Sequence, residues 1–249
     1  MTEQTYPALV HAGDSSILVL FGDTLDLAIN NAAHAFDGAV QQQKWTEVEE
    51  TIPGIRSVLI RYDPLRSRPE ALQCKLENLL SQTEWLMAPP NPDRKVWKLP
   101  ACYGGECGPD LENVAAAVNL TLDQTVKEHS QARVRVLMLG FAPGCAYLGS
   151  LPPRWDLPRL DYVKPDIPPG SLSVAVRQTV LFATPIPTGW QTIARTPFLS
   201  FSRHYAPYFY LGPGDEITFE PVDHKTFEEL SAEVAIGKMI VQPELPDDA

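Results

Sequence analysis

Residues 129–152 read HSQARVRVLMLGFAPGCAYLGSLP, and this stretch decides the fold. Val134–Leu139 (VRVLML) is a run of strand length, apolar except for Arg135, as expected of a buried strand. It stops at Phe141-Ala142-Pro143-Gly144, which cannot continue a helix or a regular ladder, and resumes at Tyr147-Leu148-Gly149. Gly140–Gly149 is therefore an irregular loop beside a buried sheet, a favoured place for binding chemistry. Phe141 and Tyr147 offer stacking surface, and free N–H groups around Pro143-Gly144 can receive an anion. The plainer alternative is a tight corner in a barrel.

Outward from this loop the pattern stays β towards the C-terminus. Leu172–Val176, Thr179–Phe182, Trp190–Ile193, Phe198–Ser202 and Glu216–Phe219 are short strand candidates separated by proline and glycine turns, the mark of a barrel or sandwich. Towards the N-terminus, Asp110–Leu120 and Leu122–His129 read as short helices, the second capped by Thr121. Met87–Arg94 (MAPPNPDR) is the linker candidate. Of 24 prolines, 4 precede residue 89 and 20 lie from there on, so the composition changes at this point. Before it, Ile17–Phe21 and Val58–Tyr62 read as strands. Helical spacing from Leu25 to Val40, with Asp23 or Thr24 as cap, and again from Pro69 to Leu80 predicts two amphipathic helices. A small sheet carrying helices on one side follows. The expected organisation is α+β: an α/β sandwich over residues 1–88, then a β-barrel domain over 95–249.

A net charge of −11 argues against nucleic-acid binding, and Arg61, Arg66 and Arg68 are interrupted by Asp63. The start MTEQTYPALV lacks the pattern of a signal peptide, and the longest apolar stretch is far shorter than a membrane span. Cys74, Cys102, Cys107 and Cys145 form no disulfide framework. A cytoplasmic protein with reduced thiols and no membrane or nucleic-acid partner is expected. The end, PELPDDA, reads as a frayed acidic tail.

Self-contained catalytic motifs are missing: there is no GxxxxGK[ST], GxSxG or HExxH. Histidines 11, 34, 129, 204 and 224 are scattered, so no metal site is expected. Cys102 and Cys107 flank Tyr103-Gly104-Gly105-Glu106 without a second ligand pair, and are read as small side chains around a turn in preference to half a zinc site. In CYGGECGPD (102–110), Gly104 and Gly105 let the backbone approach a ligand, or simply turn from strand to helix with Asp110 near the helix start. In PIPTGWQTIARTP (185–197), Trp190 offers a wall and Arg195 a bidentate grip on a carboxylate. Alternation sets Trp190 and Gln191 on opposite faces, so one face is core.

Taken together, GDSSILVLFGD, IPGIRSVLIRYDPL, CYGGECGPDLENVA, HSQARVRVLMLGFAPGCAYLGSLP, PPGSLSVAVRQT, GWQTIARTP and LGPGDEITFEPV occur in an ordered series over residues 8–222. The series resembles the family of the 5-oxoprolinase B-type subunit, also called allophanate hydrolase subunit 1 or the carboxyltransferase C/D subdomain, which includes a sporulation histidine-kinase inhibitor. The resemblance implies an N-terminal α/β domain and a cyclophilin-like β-barrel. It also implies a homologous sister subunit that completes the site, a third oxoprolinase subunit, and ATP consumed by the complex, with no cofactor motif in this chain. The sequence departs from the family pattern at Cys145, where an aromatic is usual. It departs also in Ala175–Ala183 (AVRQTVLFA), which keeps Gln178 and Thr179 but loses two glycines, and at Thr188 and Ala194.

The leading reading is an ATP-dependent hydrolase subunit acting on a cyclic amide or ureido compound, such as 5-oxo-L-proline. Substrate positioning would fall to Tyr103, Gly104, Gly105, Pro143, Gly144, Tyr147, Gln178, Trp190 and Arg195. His129 is the candidate general base, against the plainer role of a structural histidine at a helix end. The alternative is a regulator that binds a histidine kinase, with Tyr208, Phe209 and Tyr210 as an aromatic patch. A prolyl isomerase ranks last, because likeness of fold does not carry function.

Overall fold

The computed structural model describes residues 5–203 and 206–246, so His204 and the last three residues of the expected tail lie outside the described residues. The chain divides into two compact units, 1–92 and 93–249.

In the first unit, strands β1 (Ala8–His11), β2 (Ser16–Leu20), β3 (Val48–Pro53) and β4 (Ser57–Tyr62) form an antiparallel sheet in the order β1-β2-β4-β3. Helices α1 (Leu27–Gln43) and α2 (Pro69–Leu80) cover one face. Ile17, Val19, Val58, Ile60 and Tyr62 meet Ala32, Ala33, Phe36 and Val40 of α1, and Leu72, Leu76 and Leu79 of α2. The strand residues alternate and the helix residues recur at three and four, the two periods that point side chains to a common layer. The cap of α1 is Asp26, not Asp23 or Thr24: its carboxylate accepts from the Ala28 N–H at 2.7 Å, satisfying a first-turn donor. Pro69 opens α2, where its missing N–H costs nothing.

The second unit opens with β5 (Val96–Tyr103), followed by α3 (Leu111–Val118) and α4 (Leu122–Gln131). Next come β6 (Val134–Leu139), β7 (Ala146–Gly149), β8 (Lys164–Ile167), β9 (Ser171–Ala175), β10 (Gln178–Leu181), β11 (Ile186–Thr188), β12 (Gln191–Arg195), β13 (Glu216–Pro221) and α5 (His224–Ala235). Seven of these strands close into a barrel in the order β10-β7-β6-β13-β5-β12-β9. All its pairings are antiparallel except β5 with β13, which runs parallel from Val96–Glu216 to Ala101–Pro221. Leu99, Val134, Val136, Leu148, Val174, Ile193 and Ile217 fill the interior. Thr121 caps α4 in a reciprocal capping box with Gln124.

Two sequence expectations change, and one strand carries no expectation at all. Phe198–Ser202 is not a strand: the Thr196 hydroxyl accepts the Phe198 N–H at 3.1 Å, turning the chain, and only Phe201 bridges Phe209. β5 is masked in the sequence by Pro100, which is tolerated because β12 pairs with β5 only at Cys102 and Tyr103. Arg94, at the end of the expected linker, is buried and pairs with Glu216 at 3.3 Å, so it belongs to the barrel.

The β9–β10 turn carries the clearest departure from local preference. Val176 and Arg177 have φ of 43° and 62°, in the region that suits the glycine and asparagine of tight hairpins. A β-branched residue there is an outlier. The turn is held from outside: Val176 N–H donates to the Leu157 carbonyl (2.8 Å), Arg177 N–H to Trp155 (3.0 Å), and Leu151 N–H to the Arg177 carbonyl (2.8 Å). Left-handed backbone costs a non-glycine residue about 1–2 kcal/mol, and glycine loses about 0.5–1 kcal/mol in chain entropy. Val176→Gly is therefore expected to stabilise the chain by roughly 0.5–1 kcal/mol in denaturant unfolding. A lower stability than wild type would show that the Val176 side chain contributes more than its backbone costs.

Candidate functional site

The Gly140–Gly149 loop joins β6 to β7 and is closed by two short-range bonds, Gly140 N–H to Cys145 (3.1 Å) and Cys145 N–H to Ala142 (3.0 Å). At its tip Phe141 has φ 70° and is 69% exposed. An aromatic held in water in a left-handed conformation serves no core. Pro143 is exposed beside it. Gly144 has φ 75°, and a methyl group there would overlap Phe201. The Ser200 hydroxyl donates to the Gly144 carbonyl at 2.5 Å, fixing the loop base to the 200–201 segment.

Behind the tip lies a satellite core on the outer face of the barrel, made by Cys145, Ile167, Ala175, Val180, Phe182 and Trp190, with Tyr147 partly buried against it. β8 and β11 form the separate ribbon that supplies Ile167 and Ile186. Tyr147 meets Trp190 edge to face at 6.0 Å, and Arg159 stands 5.5 Å over the Trp190 ring. Burial raises the Cys145 thiol and Tyr147 phenol above their ordinary pKa. Gln178 pairs with Gly149 and Val180 with Tyr147, so Gln178 shares this outer face. Trp190, only 6% exposed, is part of the packing and not an open wall. Arg159 carries no signal in its proline-rich segment.

Tyr103, Gly104 and Gly105 lie elsewhere, where β5 turns into α3. Gly104 and Gly105 have φ of 69° and 52°, and the turn is seated on β12 by Gly104 N–H to Ile193 (3.1 Å). A methyl at Gly108 would overlap the Ile193 carbonyl, so glycine is required there by contact. Asp110 completes the seat. Its carboxylate accepts the Thr192 N–H at 2.5 Å and the Lys164 ammonium, while its own N–H donates to the Thr192 carbonyl at 3.0 Å. Cys102 and Cys107 are buried against Phe227. Burial, then the hydrogen bond with Cys102, pushes the Cys107 thiol up to about 12, which removes thiolate reactivity at neutral pH.

His129 sits inside the barrel. It is 1% exposed. Nδ1 meets the Tyr103 hydroxyl at 2.8 Å and Nε2 the Thr179 hydroxyl at 3.0 Å, and the ring stacks on Phe219 at 5.1 Å. Burial lowers its pKa to about 3 and pushes the Tyr103 phenol well above its ordinary range. Both nitrogens are engaged away from any surface, so in this conformation His129 cannot reach a substrate proton as a general base must. It braces α4 against β5, β10 and β13. Arg195 lies in a fourth place, over Phe227 of α5 at 5.1 Å. The sequence candidates thus fall into four groups: the interior, the β5–α3 turn, the outer face and the α5 side. Among the described residues, no three His, Cys, Asp or Glu side chains gather as a metal site.

Residues 7–211 match the family described as carboxyltransferase domain, subdomain C and D. The chain belongs to this family. It is 32% identical over 228 residues to the B-type subunit of 5-oxoprolinase from Bacillus subtilis (strain 168), covering 89% of this chain and 95% of that one. The Escherichia coli O157:H7 protein of the same name is 34% identical over 178 residues, covering 70% and 78%. Kluyveromyces lactis urea carboxylase shares the fold at TM-score 0.79 and 18% identity, over 98% of this chain and 24% of that much longer one. Among the described residues, no helix of this carboxyltransferase C/D chain is long and apolar enough to cross a membrane.

The neutral His129 makes stability depend on pH. Its folded pKa of about 3 lies below the ordinary 6.5, so the unfolded chain takes up the proton first. The contribution is complete above pH 6.5 and is lost as pH falls from there towards 3, at up to about 1.4 kcal/mol per pH unit. Between pH 7 and 5, wild type is expected to lose about 2 kcal/mol more than His129→Gln, measured by denaturant unfolding at each pH. Parallel losses would mean that His129 titrates normally.

Proposed function

We propose that this chain is the B-type subunit of an ATP-dependent 5-oxoprolinase-like complex that opens a cyclic amide or ureido substrate, 5-oxo-L-proline in the leading case. The observation that carries the reading is the match to the Bacillus subtilis oxoprolinase subunit along 95% of that protein's length. The geometry adds support. The candidate base His129 is sealed in the barrel with both nitrogens occupied, and a site lacking its base suits completion by a second subunit. On this reading the homologous sister subunit, and a third oxoprolinase subunit, supply the remaining groups, and ATP is consumed by the complex. The tip, exposed at Phe141 and Pro143, and the largely buried Gln178 behind it form this chain's contribution, positioning substrate while the partner performs the proton transfers.

The regulatory alternative draws on Tyr208 and Phe209, which are 56% and 51% exposed, whereas Tyr210 packs partly buried against the barrel core. The likeness to oxoprolinase subunits extends over most of the chain, so the enzyme-subunit reading stands first.

Co-expression with the sister subunit, purification, addition of the third subunit and an ATP-dependent assay of 5-oxoproline opening test the proposal. Turnover is expected only from the full set, and Phe141→Ser and Gln178→Ala are each expected to lower it about tenfold with thermal midpoints kept, since tenfold corresponds to about 1.4 kcal/mol of transition-state stabilisation. Trp190→Ala cannot report on substrate, because emptying a buried tryptophan site costs about 3–5 kcal/mol of stability. A pure, complete complex that turned over neither 5-oxoproline nor a ureido compound would overturn the reading.

A further inference from the structure

A second place in the barrel unit has the makings of a ligand site and shares no residue with the outer-face group. Between the end of β12, α5 and the segment after it lies a cavity of about 350 Å³, within the range of small-molecule sites. Phe198, Leu199, Val234, Met239 and Ile240 make its walls apolar. Tyr103, Tyr147, Gln178 and Trp190 take no part in it. The wall contributed by residues 227–240 lies beyond residue 211, where the family model ends.

One charge in this lining has no counter-ion among the described residues. Lys238 pairs with Glu233 at 2.8 Å, but Arg195 makes no such ion pair. Its Nη2 donates to the Pro169 carbonyl at 3.3 Å, its Nε is buried without a hydrogen-bond partner, and its guanidinium lies 5.1 Å from the Phe227 ring. A guanidinium carries five N–H donors, and among the described residues one neutral carbonyl is the only acceptor it meets. A partly buried cation without an anion is costly to keep. Its planar fork matches a carboxylate, while the apolar walls reject a compact polar molecule and accept a hydrocarbon body.

The geometry points to this cavity as a binding site for an apolar monocarboxylate, with the carboxylate on Arg195 and the hydrocarbon chain against α5 and Phe198. 5-Oxoproline also carries a carboxylate, but on a small polar ring without a hydrocarbon body, so the ligand this cavity selects differs from it and the site is independent of the proposed activity. A bound molecule would pin α5 to the end of β12, beside the buried Cys102–Cys107 turn that also packs on Phe227.

Calorimetric titration of the full chain with hexanoate, hexanamide and acetate tests this. Hexanoate is expected to bind at least tenfold more tightly than either of the others, since the amide lacks the charge and acetate lacks the body. Arg195→Gln is expected to erase the preference of acid over amide, and Val234→Trp, which fills the cavity, to abolish binding of both while circular dichroism stays native. Equal binding of hexanoate and hexanamide to wild type, no binding of hexanoate to the folded chain, or unchanged affinity in folded Val234→Trp would each overturn the inference. The oxoproline assay enters none of these outcomes, so the two proposals fail separately.

Discussion

The barrel depends on two adjacent carboxylates, Asp215 and Glu216, at the start of β13. The parallel pairing of β5 with β13 joins segments some 120 residues apart, and no short turn can set its register. Asp215 sets it instead. One oxygen accepts the Lys95 N–H at 2.9 Å, the other the Trp97 indole at 3.1 Å and the Gly212 N–H at 3.0 Å. Glu216, itself buried, gathers Arg135 of β6 and Arg94 and Arg133, which stand just before β5 and β6. Buried carboxylates with several donors are stable where isolated ones are not. The order in which these strands meet is therefore fixed by charge at one end, leaving the apolar interior to fill the space between.

Once the barrel is closed, its two faces decide what each side chain can do. Every residue of β10 is buried, and so is every residue of β9, because one face packs inside and the other lies under the satellite core. That double burial explains why neither strand shows a clean alternation in the sequence. It also converts Trp190 from a ligand wall into packing. His129 and Thr179 face the interior, where they satisfy each other and Tyr103, since a buried hydroxyl or imidazole without a partner would be costly. What the faces leave exposed is the Phe141 tip, while Gln178, at the start of β10, is itself only 8% exposed.

Much of the frame is legible in the sequence because local signals agree with it. Ile17–Phe21, the helix from Pro69 and the Thr121 cap carry their periods and caps in consecutive residues. β5 is not legible, because Pro100 argues against a strand unless the missing β12 partner is known. α5 follows Pro221 without a strong apolar stripe; of its residues only Phe227 is fully buried. The site is less legible still. Tyr103, Gln178 and Arg195 all sit in motif segments, yet whether a motif residue braces, packs or binds depends on strands that meet only on closure. The isolation of Arg195 depends on α5 turning Phe227 towards it and bringing no carboxylate within ion-pair reach, which no local pattern could show.

The motif residues themselves divide along the same line. Gly108 is held by contact with the Ile193 carbonyl, Gly144 by contact with Phe201, and Asp215 by three donors. These positions are set by contacts and donors inside the barrel unit itself. Two positions where the sequence departs from the pattern, Cys145 and Val176 (which stands in place of one of the two lost glycines), behave differently, whereas Ala194 lies in the barrel core. Cys145 is packed away, and Val176 carries backbone strain that the 151–157 segment holds in place through three hydrogen bonds. Neither change touches the closure, so the frame tolerates both. Their consequence falls on the outer face, where Cys145 lies directly behind the Phe141 tip and Val176 lies in the turn that leads into Gln178. Substitutions on that face can therefore accumulate at a cost in stability that the barrel bears.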